Sequence, residues 1–179
     1  SDTLVLMPGK SGSGKSTLCA ALARHADMVF SDEYIVLNET LKPLEINLPI
    51  VVKKGSWQVL EYLYEELAIQ TERPRIDGQL IKYVWPDDTK DKHEKISKIL
   101  IVAPNYEPNN KSETEKVKHM SVMQTLSLLT LSGYQLGKEL DELVLEQLLS
   151  FLSSVKAASI TYSDVEVGVS TVFQLISDN

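Results

Sequence analysis

Apolar positions fall into short blocks whose spacing changes from one block to the next, and the spacing predicts the elements. Thr3-Leu4-Val5-Leu6-Met7 is an apolar run of the length of a buried strand. A glycine-rich turn follows it, and Ser16 to His25 then offers good helix formers with Leu18, Ala21 and Leu22 on one face. Met28-Val29-Phe30 predicts a second strand that ends at Ser31-Asp32-Glu33, and Tyr34 to Leu37 and Ile46 to Val52 predict extended chain punctuated by Pro43 and Pro49. Ser56 is placed as the N-cap of a helix to Ile69, with Leu60, Leu63 and Leu67 at helical spacing. Gln79 to Trp85 and Ile96 to Val102 are β-branched and aromatic enough for strands, with a charged loop from Pro86 to Glu94 between them.

The second half predicts mainly helix. Ser112-Glu113-Thr114-Glu115 fits a capping box that opens a helix to Leu131, and Gly133 supplies its stop. Lys138 to Val155 forms an amphipathic successor whose stripe of Leu140, Leu143, Val144, Leu148 and Leu152 is a core or an oligomer face. Ala158 to Tyr162 is a last strand, and Ser163-Asp164-Val165-Glu166 is a second capping box before a terminal helix carrying Val169, Val172, Phe173 and Ile176. Without repeats, low-complexity tracts or linkers, residues 1–179 are expected to form a single α/β domain.

Composition narrows the function classes. The chain's 179 residues suit one domain with a real core. A net charge of −7 argues against a nucleic-acid surface, which needs a basic stripe. No apolar run reaches the roughly 18–20 residues of a membrane span, and no signal-peptide pattern opens the sequence, so a cytoplasmic location is the default expectation. Cys19 is the single cysteine, and His25, His93 and His119 lie far apart, which excludes a disulfide framework and a zinc site of the usual spacing. The sequence begins at Ser1 and enters its first strand almost at once, so an upstream segment is expected.

Gly9-Lys10-Ser11-Gly12-Ser13-Gly14-Lys15-Ser16 matches the Walker A pattern at every fixed position, between a predicted strand and a predicted helix. The chemistry requires these residue types. Glycines let the backbone curl so that successive N–H groups face phosphate oxygens, and the helix N-terminus adds partial positive charge. Lys15 is expected to reach the β- and γ-phosphates of ATP, and the hydroxyl of Ser16, or of Thr17, to ligate Mg²⁺.

Asp32 lies 17 residues beyond Lys15, one helix and one turn away. In open α/β sheets ligands sit outside the carboxyl ends of strands, so a carboxylate at that point can face the phosphates. It either holds Mg²⁺ or accepts the proton of an attacking hydroxyl. Glu33 is the second candidate, turned to the opposite face if the strand continues.

With these features in order, the chain resembles the HPr kinase/phosphorylase superfamily, in particular its shorter HPr-kinase-related branch. The likeness lies in Gly-Lys-Ser-Gly-Ser-Gly-Lys-Ser-Thr-Leu, Phe30-Ser31-Asp32-Glu33-Tyr34, Pro49-Ile50-Val51-Val52-Lys53, Pro104-Asn105-Tyr106-Glu107-Pro108 and Ile160-Thr161-Tyr162-Ser163-Asp164-Val165. The resemblance implies a P-loop nucleotide-binding domain with the catalytic fold shared with phosphoenolpyruvate carboxykinase. It implies an ATP- and Mg²⁺-dependent serine kinase acting on a protein or peptide, in which Asp32 and Glu33 serve metal and proton chemistry. Asn105 stands where relatives of this branch often carry arginine, and Lys53, Lys54 and Lys111 are the cations able to replace it.

Two other readings fit the phosphate loop. A small-molecule kinase of the gluconate or shikimate type would need lid arginines, for which Arg73 and Arg75 are the candidates. A regulatory nucleotide-binding domain without turnover would explain the scarcity of arginine but not the intact Lys15, Ser16 and Asp32. An ABC-type ATPase is excluded, because Tyr134 stands where its signature loop requires glycine and no apolar strand ending in Asp-Glu follows.

Overall fold

The computed structural model describes residues 2–38, 43–44, 46, 48–86, 96–109, 116–133 and 142–179. They form a mixed α/β structure in two compact units, one of Ser1–Lys15 with Glu94–Asn179 and one of Ser16–His93. Among the described residues no helix is long and apolar enough to cross a membrane.

The first unit is built on a four-stranded sheet. Its strands are β1 (Thr3–Leu6), β7 (Lys98–Tyr106), β9 (Lys156–Tyr162) and β8 (Lys116–His119), in that spatial order. The pairs β1–β7 and β7–β9 are parallel, and β8 closes the edge antiparallel to β9. From Leu100 to Pro104 β7 is buried without alternation, as a strand covered on both faces must be. Helices α4 (Val122–Leu131) and α5 (Glu142–Ser154) cover one region of the sheet, where Leu148 and Leu152 meet Ile101 and Ala157 with Leu126, Leu129 and Phe151 around them. Helix α6 (Val165–Ser177) packs on β9 and buries Val165, Gly168, Thr171, Val172 and Leu175.

Pro104 is tolerated inside β7 for a topological reason. β1 ends opposite Ile101, so at Pro104 the missing N–H would face a position that no strand among the described residues occupies. Tyr106, two residues on, directs its N–H to that same side and donates it to the Ser13 carbonyl at 3.1 Å.

The second unit holds α1 (Lys15–Ala23) beyond its first residue, a two-stranded ribbon of β2 (Val36–Leu37) and β3 (Pro43–Leu44), and an antiparallel sheet ordered β4 (Ile50–Lys53), β6 (Leu80–Val84), β5 (Arg73–Pro74). The short helices α2 (Lys54–Leu60) and α3 (Glu66–Ile69) lie between β4 and β5 in the chain. Leu18, Ile50, Val52, Leu60, Leu67 and Val84 are fully buried and form the unit's core. Lys82 is 5% exposed, yet its ammonium is accommodated: it donates to the Leu67 carbonyl and stands 4.4 Å from the Trp57 ring centroid.

Several expectations are corrected. Met28-Val29-Phe30 forms no strand, and β1 takes β7 from the second half of the chain as its partner. The helix expected from Ser56 to Ile69 starts two residues earlier, with Lys53 as an N-cap lacking any side-chain bond, and breaks at 61–65. At the break Tyr64 turns inward, and its hydroxyl donates to the Ala20 carbonyl at 2.7 Å. The helix expected from Ser112 begins ten residues later at Val122, because Lys116–His119 is drawn into the sheet as an edge strand. Its capping box is Ser121 with Gln124, each side chain bonding the other's backbone N–H. The proposed box residues 112–115, the loop 87–95 and residues 138–141 lie outside the described residues.

At the terminal helix the cap is Asp164 rather than Ser163, accepting from the N–H groups of Glu166 and Val167. Its buried face is correspondingly shifted, and Phe173 is exposed. Gly133 does end α4, with φ of 88°. The stripe on α5 divides: Leu148 and Leu152 are core, while Leu143 and Val144 are exposed. Trp57 is buried, whereas Trp85 is 64% exposed.

Candidate functional site

The loop between β1 and α1 owes its shape to glycine at two alternate positions. Gly12 and Gly14 have φ of 86° and 89°, in the region where a side chain is strained. Left-handed residues alternating with ordinary ones build the concave backbone arrangement that binds anions. Gly12 has open space around it, whereas a Cβ on Gly14 would come within 2.5 Å of the Tyr162 hydroxyl and 2.9 Å of the Tyr106 Cβ. Glycine at 14 is thus required twice, for conformation and for room.

The loop is also closed on itself. The Lys15 ammonium donates to the carbonyls of Gly9 at 2.6 Å and Lys10 at 2.9 Å, so its side chain bridges the beginning and end of the turn. The Ser13 N–H reaches the Lys10 carbonyl at 3.3 Å, and the Ser13 Oγ is buried with no hydrogen-bond partner. Lys10, Ser11 and Gly12 are exposed along the outer edge.

On the other side of the Lys15–Ser16 peptide, in the second unit, Ser16 and Asp32 come together. Asp32 is not at the end of a strand. It follows Ser31, whose hydroxyl accepts the N–H groups of Glu33 at 3.1 Å and Tyr34 at 3.2 Å and so turns the chain. The Asp32 carboxylate accepts hydrogen bonds from the Ser16 side chain and from the backbone of Val51 on β4. Its Oδ2 is buried with no hydrogen-bond partner among the described residues. Burial pushes the Asp32 carboxyl above the usual carboxylate range, and the neighbouring negative charge of Glu33 adds to that. The Ser16 and backbone bonds oppose the shift. Glu33 is separated from this cluster by its own partner, the Arg75 guanidinium at 3.7 Å on the surface.

Thr17 makes a hydroxyl–hydroxyl bond of 2.6 Å with Ser56, in the first turn of α2. Sequence reading placed Ser56 as a cap, and nothing local announces its contact with a residue 39 positions away. The tyrosines beside Gly14 were missed for the same reason, since Tyr162 meets Gly14 across 148 positions. Cys19 is buried in α1, and burial first and the Asp32 charge second push its thiol up to about 12, so it has no thiolate chemistry. Arg73 and Arg75 are exposed, and Arg75 is engaged with Glu33 and Asp77.

The donor set suits a hard divalent cation of the magnesium type. A buried carboxylate oxygen without a partner beside a serine hydroxyl is chemistry that such an ion satisfies. Among the described residues no three His, Cys, Asp or Glu side chains gather for a metal. No known family, characterised protein or solved structure matches this chain.

Proposed function

We propose that the chain is an ATP-dependent kinase with a P-loop nucleotide-binding domain, which transfers the γ-phosphoryl group to a serine hydroxyl of a protein or peptide. The observation that carries the reading is the Asp32 carboxylate, bonded to Ser16 at one side and left with a buried, unpartnered Oδ2 at the other. A structural aspartate would have its second oxygen in water or bonded. The Walker A residues one helix upstream supply the matching phosphate chemistry.

In this reading backbone N–H groups of Ser11 to Lys15 bind the phosphates, and Lys15 exchanges the carbonyls of Gly9 and Lys10 for β- and γ-phosphate oxygens. Ser16 and Asp32 would hold Mg²⁺, which when bound neutralises charge developing on the phosphates. If Mg²⁺ is instead held by Ser16 and water, Asp32 is the carboxylate suited to take the acceptor's proton, because burial raises its basicity. The bond between the γ-phosphorus and the β–γ bridging oxygen breaks as the serine oxygen attacks, ADP leaves, and the proton passes through Asp32 to water. Glu33, tied to Arg75, contributes charge rather than contact.

The test uses γ-labelled ATP with cell extract separated by size, for native protein and Asp32→Asn. Label in the protein and peptide fraction on serine, lost in the variant, is the expected result. Label confined to the small-molecule fraction would overturn the protein-kinase reading in favour of a small-molecule kinase, and no label in either would leave a nucleotide-binding regulatory domain. Loss of turnover of roughly 10²–10⁴-fold in Asp32→Asn at unchanged Mg²⁺ dependence marks the base role. A shift of that dependence to higher concentration marks the ligand role.

A further inference from the structure

The ends of β7 and β9 hold the phosphate loop by its carbonyls. Tyr106 and Tyr162 are register partners at those ends, with ring centroids 5.8 Å apart. The Tyr106 N–H donates to the Ser13 carbonyl at 3.1 Å, and the Tyr162 hydroxyl donates to the Gly14 carbonyl in a long bond of 3.4 Å. Two successive peptide groups of the loop, 13–14 and 14–15, therefore turn their carbonyls to the same strand edge. The described chain has no cis peptide bond. In a planar trans peptide the C=O of one residue and the N–H of the next point in opposite directions. The N–H groups of Gly14 and Lys15 must accordingly point away from β7 and β9, both to one side of the loop. In this loop the arrangement is built around Gly14, whose left-handed backbone next to ordinary residues curls the two N–H groups toward one point.

We propose that Tyr162 is a positioning residue for phosphate recognition: its hydroxyl, with the Tyr106 backbone, fixes the Gly14–Lys15 peptide so that two adjacent N–H donors are aimed at an anionic oxygen before the nucleotide arrives. The proposal rests on the phosphate-binding reading of this loop. Tyr162 is built for the part. It is 4% exposed, packed on Gly14 with no room for even a methyl group between them, and burial next to Tyr106 raises its hydroxyl well above the ordinary tyrosine range, so it remains a donor at any working pH. The buried Ser13 Oγ lies in the same turn without a partner, a further donor for the same anion.

The probe is inorganic pyrophosphate, titrated into ¹⁵N-labelled native protein and Tyr162→Phe. In the native protein the Gly14 and Lys15 amide protons are expected to move downfield together on binding. In the variant these two shifts should shrink, and pyrophosphate should bind about three- to ten-fold more weakly, the worth of one oriented neutral hydrogen bond. The melting temperature should fall by only about a few degrees, since one long hydrogen bond is lost while the ring stays in place. Native protein that binds pyrophosphate without moving both amides overturns the positioning role even if the variant fails to fold, and so does a variant that binds and shifts as the native chain does. Native protein that binds no pyrophosphate at all overturns the phosphate-loop reading and this inference with it.

Discussion

Replacing Gly14 by alanine isolates what the loop demands of its backbone, because Gly12 provides an internal reference. Both residues have φ near 90°, so an alanine at either carries the left-handed strain of about 1–2 kcal/mol. Only at Gly14 does the new methyl group meet atoms, the Tyr162 hydroxyl at 2.5 Å and the Tyr106 Cβ at 2.9 Å. Separations that short force the strand ends or the loop to move, which in packed interiors is worth about 1–3 kcal/mol. Gly12→Ala is thus expected to lose about 1–2 kcal/mol, and Gly14→Ala about 2–5 kcal/mol, by adding the two contributions. Urea denaturation followed by tryptophan fluorescence measures both, compared at the midpoint with the slope held as a check on two-state behaviour. The double variant Gly14→Ala with Tyr162→Phe removes the nearer obstacle and should recover part of the loss, a coupling of at least about 0.5 kcal/mol. Equal losses at the two glycines, or strict additivity in the double variant, would show that the tyrosines do not enclose Gly14.

Lys15→Ala should abolish phosphoryl transfer and weaken Mg-ATP binding in isothermal titration, and equal affinities would remove the phosphate-loop assignment. Ser56→Ala breaks the 2.6 Å bond to Thr17 and should destabilise by about 1 kcal/mol in thermal unfolding, with no loss if the bond is absent in solution. For Asp32 the sign follows from burial: its folded pKa lies above the ordinary 3.8, so its contribution to stability is full below that value and is lost as the pH rises through the folded pKa. Asp32→Asn should therefore gain in melting temperature over the native chain between pH 4 and pH 7, and a difference that does not vary with pH would show that the carboxylate is not desolvated.

Sequence patterning located the parts of the fold whose period is set by burial on a face. β1, β6, β9 and α1 appear within one or two residues of their expected bounds, because each is a short apolar run or stripe flanked by turn residues. It failed where long-range partners decide. Lys116–His119 carries a polar sequence that a helix would accept, yet β9 recruits it as an edge strand. The break between α2 and α3 falls where Tyr64 bonds the distant Ala20 carbonyl, a partner that no local propensity announces. The site divides in the same way. The positive φ at Gly12 and Gly14 follows the glycine spacing of the loop, whereas Asp32 meets Ser16 from a turn and not from the strand end expected of it. The support beneath them was not legible: Ser31 turning the chain, Val51 bonding Asp32, and two tyrosines closing on Gly14 from residues 106 and 162.

Buried polar atoms without partners are informative here only in combination with the motif. Three such atoms occur among the described residues: the Ser13 Oγ, the Asp32 Oδ2 and the Ser132 Oγ. Ser132 is the C-cap of α4, remote in sequence from any phosphate chemistry, so an orphaned hydroxyl by itself marks nothing. Under the proposed function Ser13 and Asp32 differ, because an anion would provide the missing bond to the hydroxyl and a cation the missing bond to the carboxylate. An aspartate kept partly out of water beside a serine hydroxyl opposes folding, as the direction of its pKa shows. That opposition reverses when a bound cation replaces the lost hydration, and ligand binding to the folded state then adds stability in proportion to its concentration over Kd. Under the proposed function, the Asp32 carboxylate that opposes folding in its charged form is also the group through which a bound cation would add stability, so a rise in melting temperature with added Mg-ATP that is lost in Asp32→Asn is the expected outcome.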